Sequence, residues 1–409
     1  MRIIIDARAA QLYAGTGLGT YVGGLTRQLG AIAAPDSVET VQAPGGSRRL
    51  SHLQFWSKVA APPGGPRGDL YHCPHNGLGL PPDAHRCIVT IHDLIPLTHP
   101  EATSSYYRRL FSAQVPAAVA RADFIIAVSH QTRQDISRLF GKTRGPVVVI
   151  HEAADRIFRP LTPATIRRQL RALGLSPGYV LYLGGFSPRK NVGTLIHAYA
   201  GLPTSLRVRH PLLIAGALER GWTDLYALAR RLAPGTLFPG AIPTPLLSAL
   251  YGGAAVFAYP SLYEGFGLPP LEAMACGTPV LCSDADALTE VTGDGALRFP
   301  PLEVDTLRHQ LRRVLEDPVL QRELSSRGTA RAAGFSWRRA AQETLGAYRH
   351  CVYGPEYTAG KGSEAGAGGG VPQPTGGVHD PGAGAGLLGA CAGQRRLDQV
   401  RLRDRGALR

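Results

Sequence analysis

The sequence has no long apolar run. None of its hydrophobic stretches approaches the ~18 residues that a membrane-spanning helix requires. Near the start, Ile3–Ile5 meets a charge at Asp6, so this segment is too short for a secretory signal and is typical of a buried strand. We therefore expect a protein that works in the cytoplasm or peripherally at the inner face of a membrane.

Cysteine is also scarce, and the six cysteines are scattered along the chain. They form no Cys-x-x-Cys pair and have no paired histidine spacing beside them. This pattern disfavours a metal or redox centre. We expect most of them to be small buried side chains in a reducing compartment.

Acidic residues are outnumbered by basic ones. The 44 Lys and Arg against 30 Asp and Glu give a net charge of +14. Such an excess favours an anionic partner: a nucleotide diphosphate, a phospholipid surface or a nucleic acid. Nucleic acid is disfavoured, because no basic helix with interleaved aromatic residues occurs.

Two series of short apolar runs alternate with patterns of helical period, which predicts β-α-β units with parallel sheets. The first series predicts strands at Ile3–Asp6, Asp69–His72, Cys87–Ile91, Phe124–Val128 and Val147–Ile150. The second predicts strands at Tyr179–Leu183, Pro211–Ala215, Val256–Tyr259 and Pro279–Cys282. Two doubly wound domains of this kind would hold a ligand between the carboxyl ends of their sheets.

The domain boundaries follow from breaks in these patterns. We predict one Rossmann-like domain over 1–160, a second over 161–335 and a last helix over 336–353, with a Pro- and Arg-rich linker near 153–177. Fifteen of the 56 residues in 354–409 are glycine. Such a segment buries too little apolar surface to offset its ordering entropy, so we predict a disordered tail.

The most informative segment is Glu264–Val280. A strand ends, a glycine loop follows, and Pro269 or Pro270 opens a short helix, since proline is favoured at the first helical position. Gly277 supplies the left-handed cap that ends the helix. The segment therefore predicts a helix whose N-terminus lies at the mouth of a parallel sheet.

That helix N-terminus is a predicted phosphate site. The N–H groups of Phe266, Gly267 and Leu268 can hold an anion there. Glu272, expected in the first helical turn, would accept hydrogen bonds from two ribose hydroxyls, and Glu264 would do the same for a sugar. The alternative is that both glutamates only complement the helix dipole.

Arg189 and Lys190 follow another strand and a glycine turn. Cations beside a helix N-terminus are unfavourable unless an anion joins them. Preorganised cations would also stabilise the charge that a departing diphosphate gains. We therefore predict that this pair of cations binds a phosphate. The alternative is that they belong to a solvated helix start.

These segments together resemble glycosyltransferase family 4, a large group of retaining enzymes with the GT-B fold. Glu264 to Glu272 is similar to the family's E-x7-E motif, and Gly184–Asn191 to its glycine loop with an Arg-Lys pair. Further segments that match are Gly15–Tyr21, Thr90–Leu97 with His92, Val128–Thr132 and Phe335–Trp337. The resemblance covers roughly residues 1–353 and is strongest to mannosyltransferase-like members of polysaccharide assembly.

The resemblance implies two Rossmann-like domains that face a central cleft, the first on the acceptor side and the second binding the nucleotide sugar. It implies a metal-independent retaining transfer of a hexose to a glycan or lipid-linked acceptor. The nucleotide sugar is a substrate, so no cofactor is expected; GDP-mannose is favoured, with UDP- and dTDP-sugars open. The implied catalytic residues are His92, Glu264, Arg189 and Lys190. The implied donor-binding residues are Gly17, Gly185, Arg189, Lys190, Gly265, Phe266, Gly267, Leu268 and Glu272.

Several other residues have a structural alternative that we favour. His72 and His75 follow a strand and could line the acceptor side, but a structural role is favoured. Asp284 and Asp286 form an Asp-x-Asp pair that we interpret as a surface loop. Two carboxylates alone are a poor site for Mg²⁺, which is usually also bound by substrate phosphates. For Asp93 we expect a role in orienting the His92 ring or its loop.

Two further readings of the sequence concern cofactors and membranes. The loop Gly15–Thr20 lacks the third glycine of a dinucleotide fingerprint, which disfavours a nicotinamide enzyme even though Glu39 lies at a ribose-binding distance. Ser104–Arg121 combines basic and aromatic residues, which fits either membrane contact or ordinary packing. Both alternatives stay open for this helix.

The rival functions are a nucleotide-sugar epimerase, a phosphorylase of the same fold, and a non-catalytic nucleotide-sugar-binding scaffold. The scaffold is disfavoured because the charged loop residues are all present.

Overall fold

Two parallel six-stranded sheets form the core of the chain. The computed structural model describes residues 1–13, 15–43, 68–217 and 222–354. Strands β1 to β6 build the first sheet and run over Arg2–Asp6, Ser37–Val41, Leu70–Cys73, Cys87–Ile91, Phe124–Ala127 and Val147–Val149. Strands β7 to β12 build the second and run over Tyr179–Leu183, Leu212–Ala215, Leu237–Gly240, Ala254–Tyr259, Val280–Ser283 and Ala296–Phe299. Neighbouring strands in both sheets are paired in parallel.

Helices connect the strands. Those of the first half are α1 (Arg8–Leu12), α2 (Gly17–Ile32), α3 (Ile95–Thr98), α4 (Ser105–Arg121) and α5 (His130–Phe140). Those of the second half are α6 (Pro163–Arg171), α7 (Val192–Ala200), α8 (Thr204–Arg209), α9 (Trp222–Leu232), α10 (Leu247–Gly252), α11 (Leu268–Ala275), α12 (Asp286–Thr292), α13 (Val304–Glu316) and α14 (Pro318–Ala333). A last helix, α15, covers Trp337–Tyr353. The predicted α/β class with two doubly wound halves is confirmed.

The strand order places a crevice in each half. The second sheet has the order β9-β8-β7-β10-β11-β12, so the chain reverses direction across the sheet between β7 and β10. The first has the order β2-β1-β3-β4-β5-β6 and reverses between β1 and β3. Loops that leave neighbouring strands at such a point diverge, and ligands bind in the crevice between them. Arg189 and Lys190 follow β7, and Glu264 follows β10.

Burial explains why the sequence revealed the central strands. Every residue of the central strands β4 and β5 is buried, which produces continuous apolar runs. The strands β2, β9 and β12 were missed, and each lies at or beside the outer edge of a sheet. In β2, Glu39 is half exposed and pairs with Arg2 at 2.7 Å, so the candidate ribose-binding acid belongs to a surface ion pair.

Two predicted segments differ from the structure or lie beyond it. The predicted linker over 153–177 contains α6, which begins after Thr162; the Thr162 hydroxyl accepts a hydrogen bond from the backbone N–H of Thr165. The Thr-Pro pair at its start is a helix-start signal that the prediction passed over. The predicted tail, from residue 355 onward, lies outside the described residues.

Helix α15 returns to the N-terminal half. Tyr348 Oη lies 2.6 Å from His72 Nδ1, and Thr90 Oγ1 lies 2.8 Å from the other ring nitrogen. A β-carbon on Gly24 of α2 would lie 2.5 Å from the Trp337 ring, so α2 and α15 pack in close contact. His72 is fully buried, and burial lowers its pKa to about 3, in agreement with the structural role favoured for it.

Candidate active site

Arg189, Lys190 and Glu264 form one ionic cluster at the crevice of the second sheet. Lys190 Nζ lies 2.6 Å from Glu264 Oε1, and Arg189 Nη1 lies 3.0 Å from Glu264 Oε2. Lys190 also donates to Tyr259 Oη and lies over the Tyr259 ring. The two loops that follow β7 and β10 are thereby joined through their charged side chains.

The electrostatics of the cluster favour an anionic ligand. Burial would raise the pKa of Glu264, but the charges of Arg189 and Lys190 outweigh it and hold this pKa at about 2. Burial and the Arg189 charge lower the pKa of Lys190 to about 8, against the attraction of Glu264. With one carboxylate between two cations, the cluster carries a net positive charge at neutral pH. A diphosphate can therefore bind Arg189 and Lys190 in place of Glu264.

Two helix N-termini meet beside this cluster. Gly17 is the first residue of α2 and Leu268 the first of α11. A β-carbon on Gly17 would lie only 3.1 Å from Leu268 Cδ1, so the two helix starts are in contact across the halves. Each helix start offers backbone N–H groups without helical partners and a positive dipole end. Gly267 (φ +118°) is the cap residue of α11, and the predicted glycine cap Gly277 (φ +77°) follows its last turn.

Glycine is required where the two halves touch. A β-carbon on Gly265 would lie 2.0 Å from the backbone oxygen of His92. The Gly265 carbonyl accepts hydrogen bonds from Ser129 Oγ at 2.6 Å and Thr132 Oγ1 at 3.3 Å. Since Ser129 also caps α5, one side chain both starts that helix and holds the glycine loop of the other half.

The remaining predicted glycine and aromatic residues lie in the same loops. The Gly185 carbonyl accepts a hydrogen bond from Tyr182 Oη at 2.6 Å, which fixes the loop after β7. Phe266 is buried, and its ring lies 5.9 Å from that of His151 and 6.0 Å from that of Phe335. Phe266 therefore packs between the halves, and its backbone rather than its ring is available for donor contacts.

Glu272 is half-buried in the second turn of α11. The expectation of a first-turn position is wrong, because the helix already begins at Leu268 with Gly267 as its cap. Its carboxylate accepts a hydrogen bond from Tyr251 Oη at 2.8 Å. Burial raises the pKa of Glu272 to about 8, which the Tyr251 bond only partly offsets. This position does not serve to complement the helix dipole, which is the alternative that the sequence left open.

His92 follows β4 and is held on both ring nitrogens. Nδ1 lies 2.7 Å from Glu152 Oε1, and Nε2 lies 3.0 Å from the carbonyl oxygen of Pro74. The Tyr21 ring packs edge-on against it at 4.6 Å. Burial would lower the pKa of His92, but the Glu152 carboxylate outweighs it, so this pKa is raised. Asp93 accepts instead from the N–H of Ile95 and orders the loop, while Glu152 orients the ring.

Sequence reasoning missed Glu152, Tyr251 and Tyr259. Glu152 follows β6 at the same carboxyl edge as the other candidates, which was the available signal. The two tyrosines lie within or beside apolar runs and gave no separate signal.

Other candidates lie apart from this cluster or are occupied by protein contacts. Asp284 and Asp286 are both exposed, and Asp286 begins α12. His75 is fully buried, with its Nε2 3.6 Å from Cys73 Sγ. Among the described cysteines, Cys73, Cys87, Cys276 and Cys282 are buried.

Two groups in the described part of the chain bring three metal-type ligands together: Asp6, Cys73 and His75, and His130, His151 and Glu290. In the first, Asp6 already pairs with Arg8. In the second, Glu290 accepts from the backbone N–H of His130 at 2.9 Å and lies 2.6 Å from His151 Nε2. Because that carboxylate caps α5, the group serves as a contact between the halves.

Helix α4 presents two of its three arginines to solvent. Arg108 and Arg109 are exposed, while Phe111 is buried with its ring 5.9 Å from that of Tyr107. Within the described ranges, no helix is both long and apolar enough to cross a bilayer.

Comparisons with known proteins agree with this geometry. The family profile "Glycosyltransferase Family 4" matches residues 17–156, and "Glycosyl transferases group 1" matches residues 166–331. The O-antigen chain mannosyltransferase B of Escherichia coli is 36% identical over 68% of this chain and 74% of its own length. The serotype-specific mannosyltransferase WbdA of the same species is 32% identical over 67% of this chain, which spans 34% of WbdA.

A solved structure shows the same fold. Sucrose-phosphate synthase from Thermosynechococcus elongatus superposes with a TM-score of 0.67 at 24% identity, over 86% of this chain and 98% of that one. Its likeness identifies the two facing Rossmann-like halves as the GT-B fold. Together with the two profiles, which divide the chain as its two sheets do, these relatives show that the chain belongs to glycosyltransferase family 4, among its mannosyltransferase-like members.

Proposed function

We propose that this chain transfers a hexose, with mannose favoured, from a nucleotide diphosphate sugar to a glycan or lipid-linked acceptor in cell-envelope polysaccharide assembly. GDP-mannose is the favoured donor because the mannosyltransferases above are 32–36% identical to this chain. We assign the work to the cytoplasm and to the inner face of the membrane, where nucleotide sugars and lipid-linked acceptors meet.

The observation that carries the proposal is the cation cluster beside two helix N-termini. Arg189 and Lys190 supply charges to a diphosphate, and the starts of α2 and α11 supply N–H groups from both halves. Glu264 then becomes available for sugar hydroxyls, and Glu272 for the ribose. Each of these assignments is a prediction, and the variants below test those of Arg189, Lys190 and Glu272.

The proposed reaction retains the anomeric configuration. The bond from the sugar to the diphosphate breaks with its electron pair on the diphosphate, which Arg189, Lys190 and the α11 N-terminus stabilise. The acceptor oxygen bonds to the same carbon on the same face, and its proton passes to a diphosphate oxygen. Contact between the halves at Gly265 excludes water and limits donor hydrolysis.

We further propose that no metal takes part. A metal ion in phosphoryl and diphosphate chemistry chiefly neutralises developing charge, and here the half-buried Arg189, the buried Lys190 and two helix N-termini would do so. Transfer should therefore persist unchanged in EDTA. A loss of activity that added Mg²⁺ or Mn²⁺ restores would refute this part.

Membrane contact is proposed through α4. Its exposed Arg108 and Arg109 can attract anionic headgroups. Sedimentation with anionic vesicles should fall when both are replaced by glutamine; Arg312→Gln, at an exposed position of α13, is the control. Equal sedimentation of all three proteins would contradict it.

The test of the function is a transfer assay with a lipid-linked glycan acceptor and each of GDP-mannose, UDP-glucose, UDP-N-acetylglucosamine and dTDP-rhamnose. We expect one donor to be used and NMR of the product to show the donor's anomeric configuration. Donor conversion without acceptor would indicate an epimerase, and dependence on free phosphate a phosphorylase. Donor binding without any turnover would indicate a scaffold.

A further inference from the structure

Glu152 is a buried carboxylate that points at the cleft histidine. It follows β6, its side chain is 5% exposed, and its Oε1 lies 2.7 Å from His92 Nδ1. It lies directly before the segment 153–177, which was expected to be a linker. A buried carboxylate is costly unless it is paired, and His92 is the partner that the structure gives it.

The second nitrogen of the same ring also faces an acceptor. Nε2 lies 3.0 Å from the carbonyl oxygen of Pro74, which has no proton to give. A neutral imidazole has one N–H and one lone pair, so it would set that lone pair against one of these two oxygens. Both contacts are satisfied when each ring nitrogen carries a proton.

We propose that Glu152 is a positioning residue that holds His92 as an imidazolium, oriented across the cleft by hydrogen bonds at both ring nitrogens. The role of this arrangement in catalysis rests on the proposed function: His92 then adds a fixed positive charge beside the departing diphosphate. It keeps its proton throughout, and the acceptor proton goes to the diphosphate.

The surroundings of the ring support this assignment. Besides Glu152, the titratable groups around His92 are Asp93 on its own loop, His72 and His75 beside β3, and Tyr21 on α2. Burial lowers the pKa of His72 to about 3 and that of His75 to about 4, so both stay neutral at pH 7. Burial raises the pKa of Tyr21 and of Asp93. Glu152 is therefore the carboxylate that balances the His92 charge through a direct hydrogen bond.

The test is two-bond ¹H–¹⁵N NMR of the histidine rings in the unliganded full chain, with His92 assigned by its loss in His92→Gln. We expect both His92 nitrogens to be protonated at pH 7.5. In Glu152→Gln, one nitrogen should lose its proton at this pH. Glu152→Asp, which keeps the charge, should restore the doubly protonated ring and guards against a folding defect in the glutamine variant.

Two results would overturn the proposal. One is a wild-type ring with only Nε2 protonated at pH 7.5, since the proton would then reside on Glu152. The other is a His92 titration that Glu152→Gln leaves unchanged. Because this readout needs no donor and no turnover, it stands or falls separately from the proposed function. In the transfer assay, Glu152→Gln should lower kcat about 100-fold, because the departing diphosphate loses a fixed positive charge, and should leave donor KM nearly unchanged.

Discussion

Donor affinity should depend on pH through two groups of opposite charge, the buried Lys190 and the half-buried Glu272. Burial raises the pKa of Glu272 to about 8, and burial with the Arg189 charge lowers that of Lys190 to about 8. If the donor binds to the Glu272 carboxylate and to the Lys190 ammonium, its affinity must fall on both sides of pH 8. A nucleotide diphosphate sugar has no diphosphate proton to lose in this range, so the protein sets the acid side of the profile.

The size of the effect follows from the two titrations. At pH 8 about a quarter of the unliganded molecules carry both charges, and at pH 6 about one in a hundred do. The association constant should therefore drop about 25-fold from pH 8 to pH 6, which corresponds to about 2 kcal/mol. On the alkaline side, the loss between pH 8 and pH 9.5 should be about eightfold.

Isothermal titration calorimetry with the favoured donor at several pH values measures this profile. Two variants separate the contribution of Glu272 from that of Lys190. Glu272→Gln should remove the fall below pH 8 and keep the fall above it, with affinity at pH 8 lower by up to about tenfold for the lost charged hydrogen bond. Lys190→Arg should keep the fall in affinity below pH 8 and remove the fall above it, because an arginine keeps its charge. A flat wild-type profile, or an acid fall that survives in Glu272→Gln, would refute the reasoning.

Three further changes test other parts of the account. Gly265→Ala should lower kcat/KM about 100-fold, because its β-carbon would lie 2.0 Å from the His92 carbonyl oxygen. Gly23→Ala is the control, because its β-carbon would have nothing within 4 Å. Equal activity of the two variants would contradict the contact. Glu272→Gln should change the pH dependence of stability. Because the pKa of Glu272 is raised in the folded chain, the protonated carboxyl contributes stability that is fully present below pH 4.5 and is lost as the pH rises through about 8. This contribution is at most about 5 kcal/mol, and Glu272→Gln should not show the loss. Parallel urea-unfolding curves of the two proteins against pH would refute this. Ser129→Ala removes the cap of α5 and its bond to Gly265, so unfolding should cost about 1 kcal/mol less; an unchanged urea midpoint would show that the cap is replaced by solvent.

The sequence predicted those parts of the fold in which local pattern and burial agree. β4 and β7 were placed with their observed bounds because all or nearly all of their residues are buried. Strands such as β9, with the sequence Leu-Phe-Pro-Gly, have too short and mixed a pattern to be recognised at a sheet edge. Tertiary pairing, not local propensity, makes them strands.

The site shows the same division. Motif spacing brought Arg189, Lys190 and Glu264 to one crevice, where the structure joins them. It could not reveal that Glu264 pairs with both cations, because 74 residues separate Lys190 from Glu264. Likewise, Glu152 and His92 lie 60 residues apart, and only the fold brings their side chains together.

The most direct test of the central claim is donor binding by ligand-detected NMR across GDP-mannose, UDP-glucose, UDP-N-acetylglucosamine and dTDP-rhamnose, with wild type and Arg189→Ala compared at pH 8. The account predicts selective binding of one donor, with GDP-mannose favoured, and its loss in the variant, whose folding circular dichroism would verify. Binding that Arg189→Ala leaves intact, or no binding of any donor to a folded wild-type chain, would contradict the assignment of the crevice as the donor site.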